Sequence, residues 1–286
     1  FDLVEPKSLS EACTILANGA DAKTVAGGTA LLTIIKQGLL LPKVLVNLKK
    51  ISDASAITFD PVQGLRIGAL ATINEIETSE TVRTHYPALA EACHVVANIR
   101  IRNMATLGGN LAHGDYQSDP PTVLAALDAR VELINAGKLR QLALTDFQLG
   151  CYETALQPGE LLAAVVIPPL PVGMTGHYVK FTTGSSEERP CAGVAALARI
   201  EKGICQELRL AVGAVSATPL RIAAEKLATG KALSADLIVT IAAEAARSID
   251  PIDDVRGPAD YKRHLVGVLT RRALQHLANG RTETTS

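Results

Sequence analysis

Apolar side chains at Leu9, Ala12, Cys13, Leu16 and Ala17 recur every three or four residues, the spacing that gathers them on one face of a helix. Ser8 followed by Glu11 is a capping box, so a helix is expected over 8–18, ended by Asn18 and Gly19. "KTVAGG" (23–28) then reads as a short strand running into a Gly-Gly turn, and "ALLTIIKQG" (30–38) as a helix stopped by Gly38. "KVLVNL" (43–48) is a second strand after Pro42. Together these form a βαβ-like region spanning 1–53.

A second region, 54–170, opens at "LRIGALAT" (65–72) and carries the helical patterns "TINEIETSETVR" (72–83) and "PALAEACHVVAN" (87–98). It ends in strands near "ARVELIN" (129–135) and "ELLAAVVIP" (160–168). Between them, "MATLGGNLAHGDYQSDPP" (104–121) reads as a polar, flexible loop leading into helical "TVLAALDARV" (122–131). "IPPLPVGMTG" (167–176) has the composition of a linker. Beyond it, over 171–286, "HYVKFTTG", "CAGVAALARI" and "ICQELRLAVGAV" read as antiparallel strands. Helices are expected from Thr218-Pro219, near Ser234 and over 258–277. Strands followed by helices make this last region α+β.

Composition narrows the function more than the fold. The chain of 286 residues is 48% hydrophobic and 20% charged, ample material for two or three cores. A net charge of −1, with no Lys/Arg run longer than a pair, leaves no clustered cations for a nucleic acid or an anionic membrane. No Trp and 3% aromatics argue against a stacking platform for single strands. No apolar run approaches the ~20 residues of an integral membrane segment. Cys13, Cys93, Cys151, Cys191 and Cys205 are odd in number and lack CxxC spacing. With no charged-then-apolar leader, they point to a reducing cytoplasm and hold no iron–sulfur cluster by themselves. The six His are never paired at metal spacing, so no metal ligand is expected.

HExxH, GxSxG, GxxxxGK(S/T) and GxGxxG are all missing, which leaves hydrolysis and phosphoryl transfer without support. Two Gly-rich segments remain, "VAGGTALL" (25–32) and "ATLGGNLAHGD" (105–115). Each reads either as an ordinary tight turn or as an anion cradle, because Gly lets successive amides approach a phosphate without a Cβ in the way. Thr29 and Thr106 offer hydroxyls, and a helix starting near Ala30 aims its positive end at the same place. Two such segments suit a pyrophosphate. Asp119 reads both as a helix N-cap ahead of Pro120 and as an acceptor for sugar or ribityl hydroxyls.

Five segments, in order, carry a resemblance. "VAGGTALL", "IRNMATLGGNLAHGDYQSDPPTVLAALDA", "GELLAAVVIP", "YVKF" and "DDVRGPADYKRHLVGVLTRRAL" resemble the FAD-binding medium subunit of molybdenum hydroxylases, over essentially the whole chain. The family includes the corresponding subunits of carbon monoxide and nicotine dehydrogenases and a domain of xanthine dehydrogenase. The resemblance implies an α+β fold: a vanillyl-alcohol-oxidase-type (PCMH-type) FAD-binding region in two parts, then a C-terminal α+β domain with a three-stranded antiparallel sheet. It implies that Val25, Ala26, Gly27, Gly28, Thr29, Ala30 and Leu31, with Ala105, Thr106, Leu107, Gly108, Gly109 and Asn110, surround the pyrophosphate and ribityl chain. It further implies a polar flavin contact from Asp119, packing of Leu162 near the adenine or ring, and Lys180 near the isoalloxazine.

The implied role is electron relay by an oxidoreductase subunit. FAD here collects electrons from 2Fe-2S clusters of a small partner subunit, while a large molybdenum-pterin subunit oxidises the substrate, and an external acceptor takes the electrons onward. Two copies of each subunit form the implied (αβγ)2 heterohexamer. The chain lacks the cysteine-bearing insertion of the benzoyl-CoA-reductase-like branch, and "SSEERPCAG" (185–193) lacks the aromatic residue that some relatives place by the flavin. Cys191 in that run reads as a buried inert thiol or as a neighbour of the cofactor. A stand-alone flavin oxidoreductase and a flavin-free assembly subunit are the competing readings.

Overall fold

The computed structural model describes residues 1–19 and 21–280. Ala20, within the expected βαβ-like region, and residues 281–286, at the end of the expected α+β region, lie outside the described residues. The chain opens β1 (Asp2–Val4), α1 (Leu9–Asn18), β2 (Ala22–Val25), α2 (Leu31–Lys36), β3 (Val44–Asn47), β4 (Ile57–Asp60) and β5 (Gly64–Gly68). Six helices follow: α3 (Ile73–Thr78), α4 (Glu80–His85), α5 (Pro87–His94), α6 (Ile99–Arg102), α7 (Leu107–His113) and α8 (Asp119–Ala126). Then come β6 (Arg130–Asn135), β7 (Lys138–Ala143), α9 (Leu144–Phe147), β8 (Gln148–Gly150), β9 (Glu153–Thr154) and β10 (Leu161–Ile167). The chain closes with β11 (Met174–Phe181), β12 (Ala192–Glu201), β13 (Ile204–Gly213), β14 (Leu220–Arg221), α10 (Ala235–Arg247) and α11 (Ala259–Asn279). None of the described helices is long and apolar enough to cross a membrane.

Two compact units form, and neither is continuous in sequence. The first comprises 1–76, 98–115 and 129–168; the second comprises 77–97, 116–128 and 169–286. In the first, a parallel sheet of order β1-β3-β2 and a five-stranded antiparallel sheet of order β4-β5-β10-β6-β7 carry the backbone ladder. α1 buries Ala12 and Cys13 with Val46, Leu48, Ile51, Ala54 and Leu161. Half of the expected capping box is present: Ser8 Oγ accepts from the Glu11 amide at 3.1 Å, while the Glu11 carboxylate accepts from the Lys7 amide at 2.7 Å rather than from that of Ser8.

The second unit is built on an antiparallel sheet of order β11-β12-β13-β14. β12 is buried almost throughout, which is why "AGVAALARI" reads as a continuous apolar run rather than an alternating one. Val194, Ala196 and Ala198 pack into one core with Leu210 and Val212 of β13 and with Ile241, Leu269 and Ala273 of the two long helices. Each fully buried Val, Leu or Ile side chain among these contributes roughly 1.5–3 kcal/mol. The alternate residues of β12 and β13 face α8.

Several sequence expectations are corrected here. The helix expected at Thr218-Pro219 is absent; Leu220 and Arg221 pair with Val212 and Ala211 as β14, and a 3-10 turn follows at Ala223–Leu227. This edge of β13 offers Leu220 backbone partners that a helix cannot match. The expected helix 72–83 breaks at Ser79, whose hydroxyl caps α4, and that over 87–98 ends at His94. Met174 to Gly176, expected in the linker, already belong to β11. The segment 104–121 is no flexible loop but largely two helices, α7 and α8. Its polar residues Asp115, Gln117, Ser118 and Asp119 are buried. Tyr116 and Gln117 both donate to Asp254 (2.9 and 2.8 Å), which also holds the fully buried Lys262 ammonium. Polarity in that stretch therefore serves internal hydrogen bonding rather than solvation.

Candidate functional site

Both Gly-Gly segments lie in the first unit. Val25 ends β2, residues 26–30 turn, and Leu31 begins α2. Gly27 sits against the second segment so closely that a Cβ there would lie 2.0 Å from the Met104 carbonyl oxygen. Gly28 has φ +72°, a left-handed conformation that costs other residues about 1–2 kcal/mol. Among the described residues, nothing accepts a hydrogen bond from the amides of Gly27, Gly28, Thr29, Ala30 or Leu31. Successive free amides in a turn of this hand form a concavity that attracts anions.

The second segment spends its amides differently. Leu107 donates to Ala71 O at 2.9 Å, Gly108 to Ala69 O at 2.8 Å, and Asn110 to Thr106 O at 2.9 Å. The Gly109 amide donates to Thr106 Oγ1 at 3.1 Å, making Thr106 the N-cap of α7. Ala105 presents its carbonyl to the Ile73 amide at 2.8 Å. A Cβ on Gly108 would lie 2.5 Å from Ala69 Cβ, whereas Gly109 meets only Thr106 Oγ1 and, at 3.9 Å, Ala26. Ala26 and Thr106 line one hollow of about 180 Å³ together with Lys49, Ser52, Thr72 and Met104. Leu162 is buried on β10, in the same unit, where the register with β6 shifts.

The other two expected site residues, Asp119 and Lys180, belong to the second unit and meet each other. Asp119 is the first residue of α8 rather than its N-cap, a position held by Ser118. Its carboxylate accepts from Tyr178 Oη at 2.8 Å and from Lys180 Nζ at 3.1 Å. Lys180 Nζ also donates to the Val95 carbonyl at 2.8 Å. Burial raises the Asp119 pKa to about 6, opposed by the Lys180 charge and by hydrogen bonds from Lys180 and Tyr178. Burial and the Asp119 charge push the Tyr178 phenol well up. Sequence reasoning missed Tyr178 and Val95; the alternation of β11, which puts residues 178 and 180 on one face, was the available signal for Tyr178.

Cys191 is buried with its thiol raised by desolvation, and Sγ lies 3.5 Å from the Arg256 carbonyl. The His113 ring packs on Tyr152 at 5.1 Å. Among the described residues, no three His, Cys, Asp or Glu side chains gather as a metal site.

Comparison with known proteins places this geometry in a class. Residues 1–170 match the FAD binding domain in molybdopterin dehydrogenase, and residues 178–277 match the CO dehydrogenase flavoprotein C-terminal domain. The carbon monoxide dehydrogenase medium chain of Afipia carboxidovorans is 34% identical over 277 residues, covering 96% of each chain. The glyceraldehyde dehydrogenase medium chain of Sulfolobus acidocaldarius is 30% identical, covering 97% of this chain and 98% of that one. The crystal structure of quinoline 2-oxidoreductase from Pseudomonas putida 86 superposes with a TM-score of 0.93 at 31% identity, covering 98% and 97% of the two chains.

The fold is that of a PCMH-type flavoprotein with a CO-dehydrogenase-type C-terminal domain. The chain belongs to the family of FAD-binding medium subunits of molybdenum hydroxylases, which makes it an oxidoreductase subunit with FAD as its cofactor. The three long antiparallel strands expected for the last domain are β11, β12 and β13, and the two-residue β14 adds a fourth.

Proposed function

We propose that the chain holds FAD through residues 25–31 and 105–110, with Leu162 beside the adenine or ring and Lys180 near the isoalloxazine. The observation that carries this reading is the run of uncommitted amides from Gly27 to Leu31, beside a hollow that Ala26 and Thr106 both line. The fit is specific in kind: five donors without acceptors suit the oxygens of a pyrophosphate, and Lys49 supplies a cation at the same hollow. Thr106 and Gly109 contribute a smooth backbone surface rather than free donors. Asp119 contributes through the ion pair that holds Lys180.

When bound, FAD supplies a centre that exchanges electrons one or two at a time. The protein's role is to bind the cofactor, orient it and fix the charge around it. Electrons reach this subunit from 2Fe-2S clusters of a small partner and leave to an external acceptor, while a large molybdenum-pterin subunit oxidises the substrate. Two copies of each subunit assemble as an (αβγ)2 heterohexamer in the cytoplasm. Relatives named as medium chains of carbon monoxide and glyceraldehyde dehydrogenases support the multi-subunit setting. Five cysteines, none of them in a disulfide, support a reducing one.

A visible absorption spectrum of gently purified protein, followed by denaturation and mass identification of the released compound, tests the flavin site. Released FAD with the small and large subunits co-purifying is the expected result. A colourless protein that takes up no added FAD would instead indicate a flavin-free assembly subunit.

A further inference from the structure

Within the sheet of the second unit, Lys180, Gly193 and Gly213 occupy one cross-strand row. Neither glycine has room for a side chain. A Cβ at Gly193 would stand 2.3 Å from the Tyr178 hydroxyl oxygen, and one at Gly213 would stand 1.9 Å from Thr122 Oγ1. Two adjacent strands thus leave a notch in the sheet, and the groups that fill it are one hydroxyl from β11 and one from α8. Thr122 lies three residues beyond Asp119, on the same side of α8, so the fit of Thr122 over Gly213 also places Asp119.

The Tyr178 end of this arrangement is fixed twice. Its amide donates to the Glu91 carboxylate at 2.9 Å, and the same oxygen contacts His177 Nδ1 at 2.9 Å. Its hydroxyl donates to Asp119 Oδ1, which leaves Oδ2 to face the Lys180 ammonium. Asp119 and Lys180 are each about nineteen-twentieths buried, with side-chain exposures of 5% and 6%. A buried carboxylate that loses a donor bears the full cost of its desolvation, and it relieves that cost by taking up a proton. A neutral acid no longer holds the ammonium.

We infer that Tyr178 is a positioning residue: its hydroxyl, seated in the Gly193–Gly213 notch, orients the Asp119 carboxylate so that Lys180 carries its charge at one fixed place beside the flavin. This rests on the assignment of Lys180 to the flavin site. The groups facing Asp119 are Tyr178 and Lys180 from β11; Thr122 of α8 faces the Tyr178 hydroxyl, and Lys180 also faces the Val95 carbonyl.

The test uses the full chain as wild type, Tyr178→Phe, Asp119→Asn and the double variant. Phe keeps the ring and removes only the hydroxyl. Flavin fluorescence quenching should show a roughly tenfold rise in the FAD dissociation constant for Tyr178→Phe, the effect of one lost hydrogen bond to a charged group. The double variant should bind no more weakly than Asp119→Asn, because Tyr178 acts through that carboxylate. Additive losses would overturn the inference.

A second readout needs no flavin. Asp119 binds its proton more tightly in the folded chain than unfolded, so its contribution to stability falls as pH rises from about 4 to about 6. Removing the Tyr178 donor raises the folded proton affinity further, and the fall extends to higher pH. The melting-temperature deficit of Tyr178→Phe should therefore grow as pH rises above about 6, and the growth should vanish in the Asp119→Asn background. A deficit independent of pH would refute the positioning role even if wild type binds FAD normally. If wild type binds no FAD, the flavin assignment fails, and the pH comparison alone decides whether Tyr178 orients Asp119.

Discussion

Residues 27–28 and 108–109 are the same dipeptide in the same unit, yet they do different physical work. At 27–28 the backbone turns with a left-handed Gly28 and leaves a run of amides without acceptors. At 108–109 it enters a capped helix whose first amides are all taken by Ala69, Ala71 and Thr106. Within each pair, moreover, one glycine is needed for packing: Gly27 against Met104 and Gly108 against Ala69. Identical dipeptides therefore divide into a donor surface, a close contact, a second close contact and a position bounded only by the Thr106 hydroxyl. A Gly-Gly pair in sequence signals only that a Cβ is unwelcome, not which of these reasons applies.

Substitutions can break that division, starting with the packing glycines. Gly27→Val and Gly108→Val drive a side chain into backbone or Cβ atoms at 2.0 and 2.5 Å. Each should lose about 3 kcal/mol or more of stability, seen as a lower urea midpoint. Near-normal midpoints would remove the close-packing assignment. Gly28→Ala should cost about 1–2 kcal/mol through its φ alone, and it should also weaken FAD retention, because relaxing the turn scatters the amides. Retention unchanged at lowered stability would make the turn structural only. Gly109→Ala is the mildest. Its Cβ approaches Thr106 Oγ1 at 2.9 Å while helix propensity improves by about 1 kcal/mol. Stability should stay within about 1 kcal/mol of wild type, and a rise in the FAD dissociation constant would then mark Gly109 as a place of cofactor approach. An unchanged constant would confine the cofactor role to the first turn.

Legibility followed the range of the interactions. The Ser8 and Ser234 caps, the apolar face of α1 and the alternating or continuous runs of β2, β3, β10, β12 and β13 are local signals, and each element stands where its pattern put it. β14 failed this test because its partner is β13, while the local Thr-Pro pair mimics a helix start. The polar stretch 104–121 failed for a related reason: its buried partners include Asp254, more than a hundred residues away.

Sequence alone determined the family, through five segments in fixed order, and with it the class of cofactor and the residues to inspect. It also determined the elements whose caps and periodicity lie within one or two turns of chain. Only the tertiary structure decided which amides remain free, that Asp119 faces Lys180 and Tyr178 at once, and that Gly193 and Gly213 make the space for it. The physical reason is that hydrogen-bond commitment and excluded volume depend on neighbours brought together by folding. A residue's type states what it can donate, accept or leave empty, and the packed chain settles with whom.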